Sequence, residues 1–248
     1  MNPALIGLPT TAAALVAAVT SYAAVYPRSQ LFGATICRTS APLQLALTFD
    51  DGPNPAVTPQ LLDLLDKYSA RATFFMIGRF VRECPELARE VAVRGHLVGN
   101  HTQTHPNLFW LTPRGVRNEL QQCQAALQDA IGTTAKVFRP PFGFRNPWVV
   151  STARNFGMQT CMWTSIPGDW REKPAEWLTE RMHNIAHNAQ DAAQRASGDV
   201  LCLHDGAHRQ LNGDRTRTLK ALEYWLPRWS DSGLKFVTIA EAVRTPAN

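Results

Sequence analysis

From residue 43 onward, short apolar runs alternate with longer stretches whose apolar residues recur at helical spacing. The strand-like runs are Leu45–Phe49, Ala72–Ile77, His96–Gly99, Ala135–Phe138, Met158–Thr164, Asp199–Leu203 and Leu234–Ile239. Between them lie predicted helices. The first starts at Thr58-Pro59, a cap followed by proline, and carries the stripe Leu61, Leu62, Leu65 and Tyr68. Others cover Pro85–Val93, Thr112–Ile131, Pro147–Phe156, Pro174 to about Ala193 and Arg215–Trp229, with Gly95, Gly132 and Gly157 as stops. Six or seven such alternations predict parallel β/α units. The chain length suits an α/β barrel of seven or eight units, a single domain beginning at residue 43. A doubly wound open sheet is the alternative, but no G-x-G-x-x-G follows the first strand.

Residues 1–42 break this rhythm. The stretch 4–26 is uncharged and Ala/Val/Leu-rich, and Thr10–Tyr26 has the length of a short membrane helix. Ser21-Tyr22-Ala23 resembles a signal-peptide cleavage site, although no basic n-region precedes it. An Ala-rich helix packed on the domain is the third reading. Membrane association is the expectation, and an anchored or exported protein belongs at the cell envelope. Arg28 and Arg38, both beyond the apolar run, vote weakly for a cytoplasmic-facing domain.

The net charge of +5 falls to +3 after residue 43, where 23 basic residues meet 20 acidic ones. That balance gives no electrostatic case for nucleic acid. The five cysteines are far apart and form no C-x-x-C, which argues against a disulfide framework or a cysteine zinc site. Cys123, Cys161 and Cys202 read as buried thiols.

Polar residues fall just after the strands: Asp50 and Asp51, His101 and His105, Arg139, Asp169 and Trp170, His204 and Asp205. In a parallel barrel these positions converge on one face. Adjacent strand residues point to opposite faces, so Asp50 and Asp51 share a site only where the strand ends and twists. His101 and His105, four apart, would present both imidazoles on one face of a helical turn. With Asp51 they make a two-histidine, one-carboxylate set suited to a divalent metal, zinc first, with cobalt, iron or nickel also compatible. Asp50 is then placed as general base, His204 as general acid, Arg139 as the partner of Asp50, and Asp169 as the group that orients an imidazole. Trp170 fits equally a core residue or the wall of a sugar subsite.

Five segments in order, Thr48-Phe-Asp-Asp-Gly-Pro53, His101-Thr-Gln-Thr-His105, Arg139-Pro-Pro-Phe142, Asp169-Trp170 and Leu201-Cys-Leu-His-Asp205, resemble the motifs of the NodB-homology polysaccharide deacetylases, carbohydrate esterase family 4. The resemblance covers roughly residues 43–245. It implies a distorted, incomplete barrel and hydrolysis of an N-acetyl group on an N-acetylhexosamine of chitin-like oligomers or peptidoglycan, with release of acetate. It further implies a metal on Asp51, His101 and His105, an oxyanion donor in the Phe142 backbone N–H, and an acetyl pocket lined by Pro141, Trp170 and Cys202. A monomer acting on an N-acetylated glycan, or on a glycolipid if the N-terminal segment is an anchor, follows from the same resemblance. Three positions depart from the family pattern. Phe142 replaces a common Tyr, Ile166 a common Asp, and Cys202 an aliphatic residue. A catalytically inactive carbohydrate-binding module is disfavoured, because binding needs neither a base nor an acid.

Overall fold

The protein is described by a computed structural model in which residues 4–183, 185 and 196–243 are defined. Its frame is a parallel sheet of eight strands: β1 (Thr35–Ile36), β2 (Gln44–Gly52), β3 (Ala72–Met76), β4 (Leu97–Asn100), β5 (Val137–Phe138), β6 (Gln159–Cys161), β7 (Asp199–His204) and β8 (Lys235–Phe236). The order is β1-β6-β5-β4-β3-β2-β7, and β8 adds to β2 near its start. Beyond β6 the chain turns back to the opposite edge. Ser165 bridges Leu201, and its carbonyl accepts from the Cys202 N–H at 2.9 Å. The sheet is thereby curled into an incomplete α/β barrel.

Among the described residues the helices are α1 (Ala4–Val25), α2 (Thr58–Lys67), α3 (Gly78–Glu83), α4 (Pro85–Val93), α5 (Pro113–Ile131), α6 (Pro147–Asn155), α7 (Ala175–Arg181), α8 (Thr216–Asp231) and α9 (Ile239–Ala242). Strand alternation divides the core in two. Leu45, Leu47 and Phe49 of β2 join the cluster formed with Leu61, Leu120 and Leu222 of the helices, while Ala46 packs inside the barrel with Phe75, Val137 and Val200. Each fully buried Leu or Phe contributes roughly 1.5–3 kcal/mol. The inner series continues from Ala46 through Thr48 to Asp50, which carries a carboxylate to the mouth of the barrel.

Several boundaries differ from the sequence reading. Thr58 does not cap α2. Its Oγ1 instead accepts from the Asn54 N–H at 2.9 Å and donates to Asp205 Oδ2, tying the β2 and β7 loops together. The run Ala72–Ile77 passes into helix without a loop: β3 ends at Met76 and Gly78 opens α3. The β6 ladder ends at Cys161 because the chain crosses to β7, and β8 ends at Phe236 because Thr238 starts a capping box for α9. The helix predicted from Pro174 begins at Ala175; residues 184 and 186–193 of it lie outside the described residues.

Among the described residues no helix is long and apolar enough to cross a membrane. The end of α1 packs on the domain: Ala23 and Ala24 are buried, and Arg145 donates to the carbonyls of Tyr26 at 2.5 Å and Ser29 at 3.1 Å. Residues 12–22 of α1 are exposed.

Candidate active site

The two carboxylates face one site because β2 bulges between them. Asp50 pairs with Phe75 and His204, Gly52 pairs with Met76, and Asp51 is the extra residue, at φ 71°. A non-glycine residue in that region costs on the order of 1–3 kcal/mol, which the surrounding contacts must offset. The His208 N–H donates to Asp51 Oδ2 at 3.2 Å. Gly206 presses against the bulge so closely that a Cβ there would sit 2.0 Å from the Asp51 carbonyl oxygen.

His101 and His105 are brought together by a loop, which corrects the helical-turn expectation. Thr102 and His105 take positive φ angles of 68° and 62°. Asn100 Oδ1 accepts from the Thr102 N–H at 2.9 Å, and Thr102 Oγ1 accepts from the His105 N–H at 3.0 Å. The result resembles the expected one: His101 Nε2 lies 3.5 Å and His105 Nε2 3.2 Å from Asp51 Oδ1.

This oxygen is buried and has no hydrogen-bond partner among the described residues, an arrangement that is costly unless something else satisfies it. His101 Nδ1 is 2.8 Å from the Arg139 carbonyl, which can only accept. Nδ1 therefore carries the proton, and Nε2 is left as a lone-pair donor in the neutral tautomer. Burial, and then the neighbouring His101, pushes His105 down to about 3. Burial alone would raise Asp51, but the imidazoles of His101, His208 and His105 beside it hold it well below the usual range. An ionised carboxylate, a neutral imidazole and a second imidazole with a free lone pair thus converge on one point. The donor set fits a divalent cation.

Arg139 lies at the bottom of the site with its side chain wholly buried. Nη1 donates to Thr48 Oγ1 at 2.7 Å and Asp50 Oδ1 at 2.8 Å, Nη2 donates to the Met162 carbonyl at 3.1 Å, and the guanidinium stacks 4.3 Å from the Phe75 ring. Burial opposes its charge, but Asp50 outweighs that and keeps it protonated. On the far side, Asp169 accepts from the His204 N–H at 2.7 Å, from Thr218 Oγ1 at 3.0 Å, and from His204 Nδ1 at 2.8 Å. Burial disfavours the imidazolium, yet the Asp169 charge, with Asp51 and Asp50 behind it, raises His204 to about 9.

These groups line a cavity of about 590 Å³ with Phe142, Ile166, Trp170 and Cys202. Trp170, left open between core and wall, is a half-exposed wall whose ring meets His204 edge-on at 5.2 Å. Cys202 lines the cavity as a neutral thiol, because burial, reinforced by Asp50, raises it well above its ordinary value. Its Sγ is 3.5 Å from Asp50 Oδ2. Pro141 does not line the cavity, contrary to expectation. It is buried in the 3-10 turn Pro141–Gly143, and Pro140 faces the space instead. Phe109, Trp110 and the segment Asn146–Trp148 lie outside the lining of this cavity.

Sequence reasoning missed Thr218 and His208. Thr218 has no motif signal. His208, four residues after His204 in a loop that follows a strand, could have been found by spacing. Its ring stacks on His105 at 4.5 Å.

Comparison with known proteins agrees with this geometry. The model of the family described as "Polysaccharide deacetylase" matches residues 38–161. A peptidoglycan-N-acetylglucosamine deacetylase of Bacillus cereus is 37% identical over 200 residues, covering 81% of this chain and 88% of that one. A chitooligosaccharide deacetylase of Azorhizobium caulinodans is 36% identical over 188 residues, covering 73% and 85%. Among solved structures, a peptidoglycan N-acetylglucosamine deacetylase in complex with an N-oxidanyl-benzamide superposes with a TM-score of 0.73 at 28% identity, covering 85% of this chain and 92% of that one. The chain belongs to the polysaccharide deacetylase family, the NodB-homology enzymes of carbohydrate esterase family 4.

Proposed function

We propose that residues 43–245 form a deacetylase domain that hydrolyses the N-acetyl group of N-acetylhexosamine units in a chitooligosaccharide or peptidoglycan strand, releasing acetate and a free amino sugar. The observation that carries this reading is the pairing of two differently prepared groups across one cavity. Asp50 is paired with Arg139, and His204 with Asp169, on either side of the orphaned Asp51 oxygen. A base and an acid placed on opposite sides of one cavity are what amide hydrolysis needs.

Asp51, His101 and His105 would hold a divalent cation, zinc by their donor chemistry. When bound, such a cation polarises the carbonyl and acidifies water. Asp50 takes the proton from the attacking water. The backbone N–H of Phe142 donates to the developing oxyanion, a type of contact worth on the order of 3 kcal/mol. His204 Nε2 returns a proton to the departing nitrogen, while Asp169 fixes its Nδ1–H. Trp170 walls the sugar subsite, and Cys202 lies beside the acyl group as a compact neutral thiol. A pure binding module would not require this base and acid.

A second substrate reading has its own support. Leu15, Val16 and Val19 of α1 are exposed apolar residues that favour contact with a lipid surface, and with it a lipid-linked or glycolipid amino sugar at the cell envelope. Acetate release from N-acetylglucosamine oligomers, peptidoglycan strands and a lipid-linked N-acetyl sugar, compared side by side, tests both. Release from the soluble glycans supports the first reading. Release from the lipid-linked sugar alone would replace it with the second, and release from none would reject deacetylation.

A further inference from the structure

We propose that His208 is a further protein ligand of the cation, added to Asp51, His101 and His105; this rests on the metal reading above. The loop after β7 delivers His208 to the carboxylate by two contacts. Its backbone N–H donates to Asp51 Oδ2 at 3.2 Å, and its ring Nδ1 lies 3.7 Å from the same oxygen. The ring is nearly parallel to that of His105, with centroids 4.5 Å apart and planes at 19°. The two rings present their nitrogens to the two oxygens of one carboxylate, His105 Nε2 to Oδ1 at 3.2 Å and His208 Nδ1 to Oδ2 at 3.7 Å.

One ligand atom from each of Asp51, His105 and His208 lies within 4.8 Å of the other two. Ligand atoms around a cation with bonds of about 2.0–2.2 Å are roughly 3–3.5 Å apart, so binding must turn the His208 ring out of its stack on His105 to bring both lone pairs onto one point. Phe142 packs edge-on against both rings, 4.6 Å from His105 and 5.4 Å from His208, and limits the rotations open to them. A solvated loop histidine would need none of this. The bland alternative, an imidazole that merely packs on His105, predicts no effect on cation binding.

The test titrates the full chain, stripped of metal, with Zn2+ against a chromophoric chelator, and records the visible spectrum of the Co2+-loaded protein. His208→Asn and His208→Ala are compared with the wild type, with Asp51→Asn as the control that removes the shared carboxylate. Loss of His208 should weaken Zn2+ binding at least about tenfold and change the Co2+ absorption, with the folded baseline retained by the Asn variant. Equal Zn2+ affinity and an identical Co2+ spectrum in either folded His208 variant would overturn the ligand role while leaving the metal reading intact. A wild-type chain that binds neither metal would overturn the metal reading itself, and the ligand role with it.

Discussion

Arg139 Nη1 donates to Asp50 Oδ1 at 2.8 Å although the arginine side chain has no access to solvent at all. A buried charge of this kind persists only where hydrogen bonds satisfy it, here from Thr48, Asp50 and the Cys161 and Met162 carbonyls. The same bond fixes Asp50, the proposed base, in the orientation that points its other oxygen towards the cavity. Structure and chemistry share one interaction.

Arg139→Met should therefore damage both. Leaving Asp50 buried and unpaired costs about 3–5 kcal/mol of stability by denaturant unfolding. Acetate release should fall by at least about a hundredfold. Arg139→Lys keeps the charge but lacks the fork that reaches Thr48 and Asp50 together, and should recover only part of each loss.

The adjacent acids should separate cleanly by function. Asp50→Asn is expected to retain bound metal while turnover falls by about 10²–10⁴-fold. Asp51→Asn is expected to lose the metal and, through that, the activity. Metal content by elemental analysis, read beside acetate release, distinguishes the two. Near-normal turnover in Asp50→Asn would show that the base is some other group.

The pairing of His204 with Asp169 sets the alkaline limit. An acid raised to about 9 is protonated, and so competent, below that pH, and activity should decline as pH rises through it. A cation at Asp51 would draw the limit lower. Asp169→Asn removes the main raising charge, so the alkaline limb should move down by about 1–3 pH units. The stability sign follows the same shift. A raised imidazole contributes stability that is complete below its unfolded value of about 6.5 and is lost as pH rises through about 9, so that part of the gap between wild type and Asp169→Asn should shrink across that window. A pH–rate profile and denaturant curves at several pH values measure both.

Gly206 should tolerate no side chain. A Cβ at that position meets the Asp51 carbonyl oxygen at 2.0 Å, so Gly206→Ala must push the bulge aside. Overpacking of this kind costs about 1–3 kcal/mol. Because the displaced residue is a proposed metal ligand, metal affinity should fall together with thermal stability.

Much of this was legible in the sequence, for identifiable reasons. Strand ends of a parallel sheet gather on one face, so Asp50, His101, Arg139, Asp169 and His204 could be assembled from position alone. Hydrophobic period gave the barrel class and the amphipathic helices. What escaped was local backbone geometry. The bulge at Asp51 depends on contact with Gly206 and His208, far away in sequence. The His101–His105 loop mimics helical spacing through two left-handed residues and side-chain anchors that no periodicity reports. Thr58 looked like a helix cap because caps are local, whereas its actual partner, Asp205, is a tertiary one. The choice of Pro140 over Pro141 as cavity wall turned on a single residue within a 3-10 turn.

The most direct test of the account is acetate release from N-acetylglucosamine oligomers before chelation, after chelation, and after Zn2+ is added back. The geometry around the partnerless Asp51 oxygen predicts activity that disappears with the chelator and returns with zinc in the wild type, and does not return in Asp51→Asn. Release that continues undiminished in fully metal-stripped protein would contradict the account at its centre.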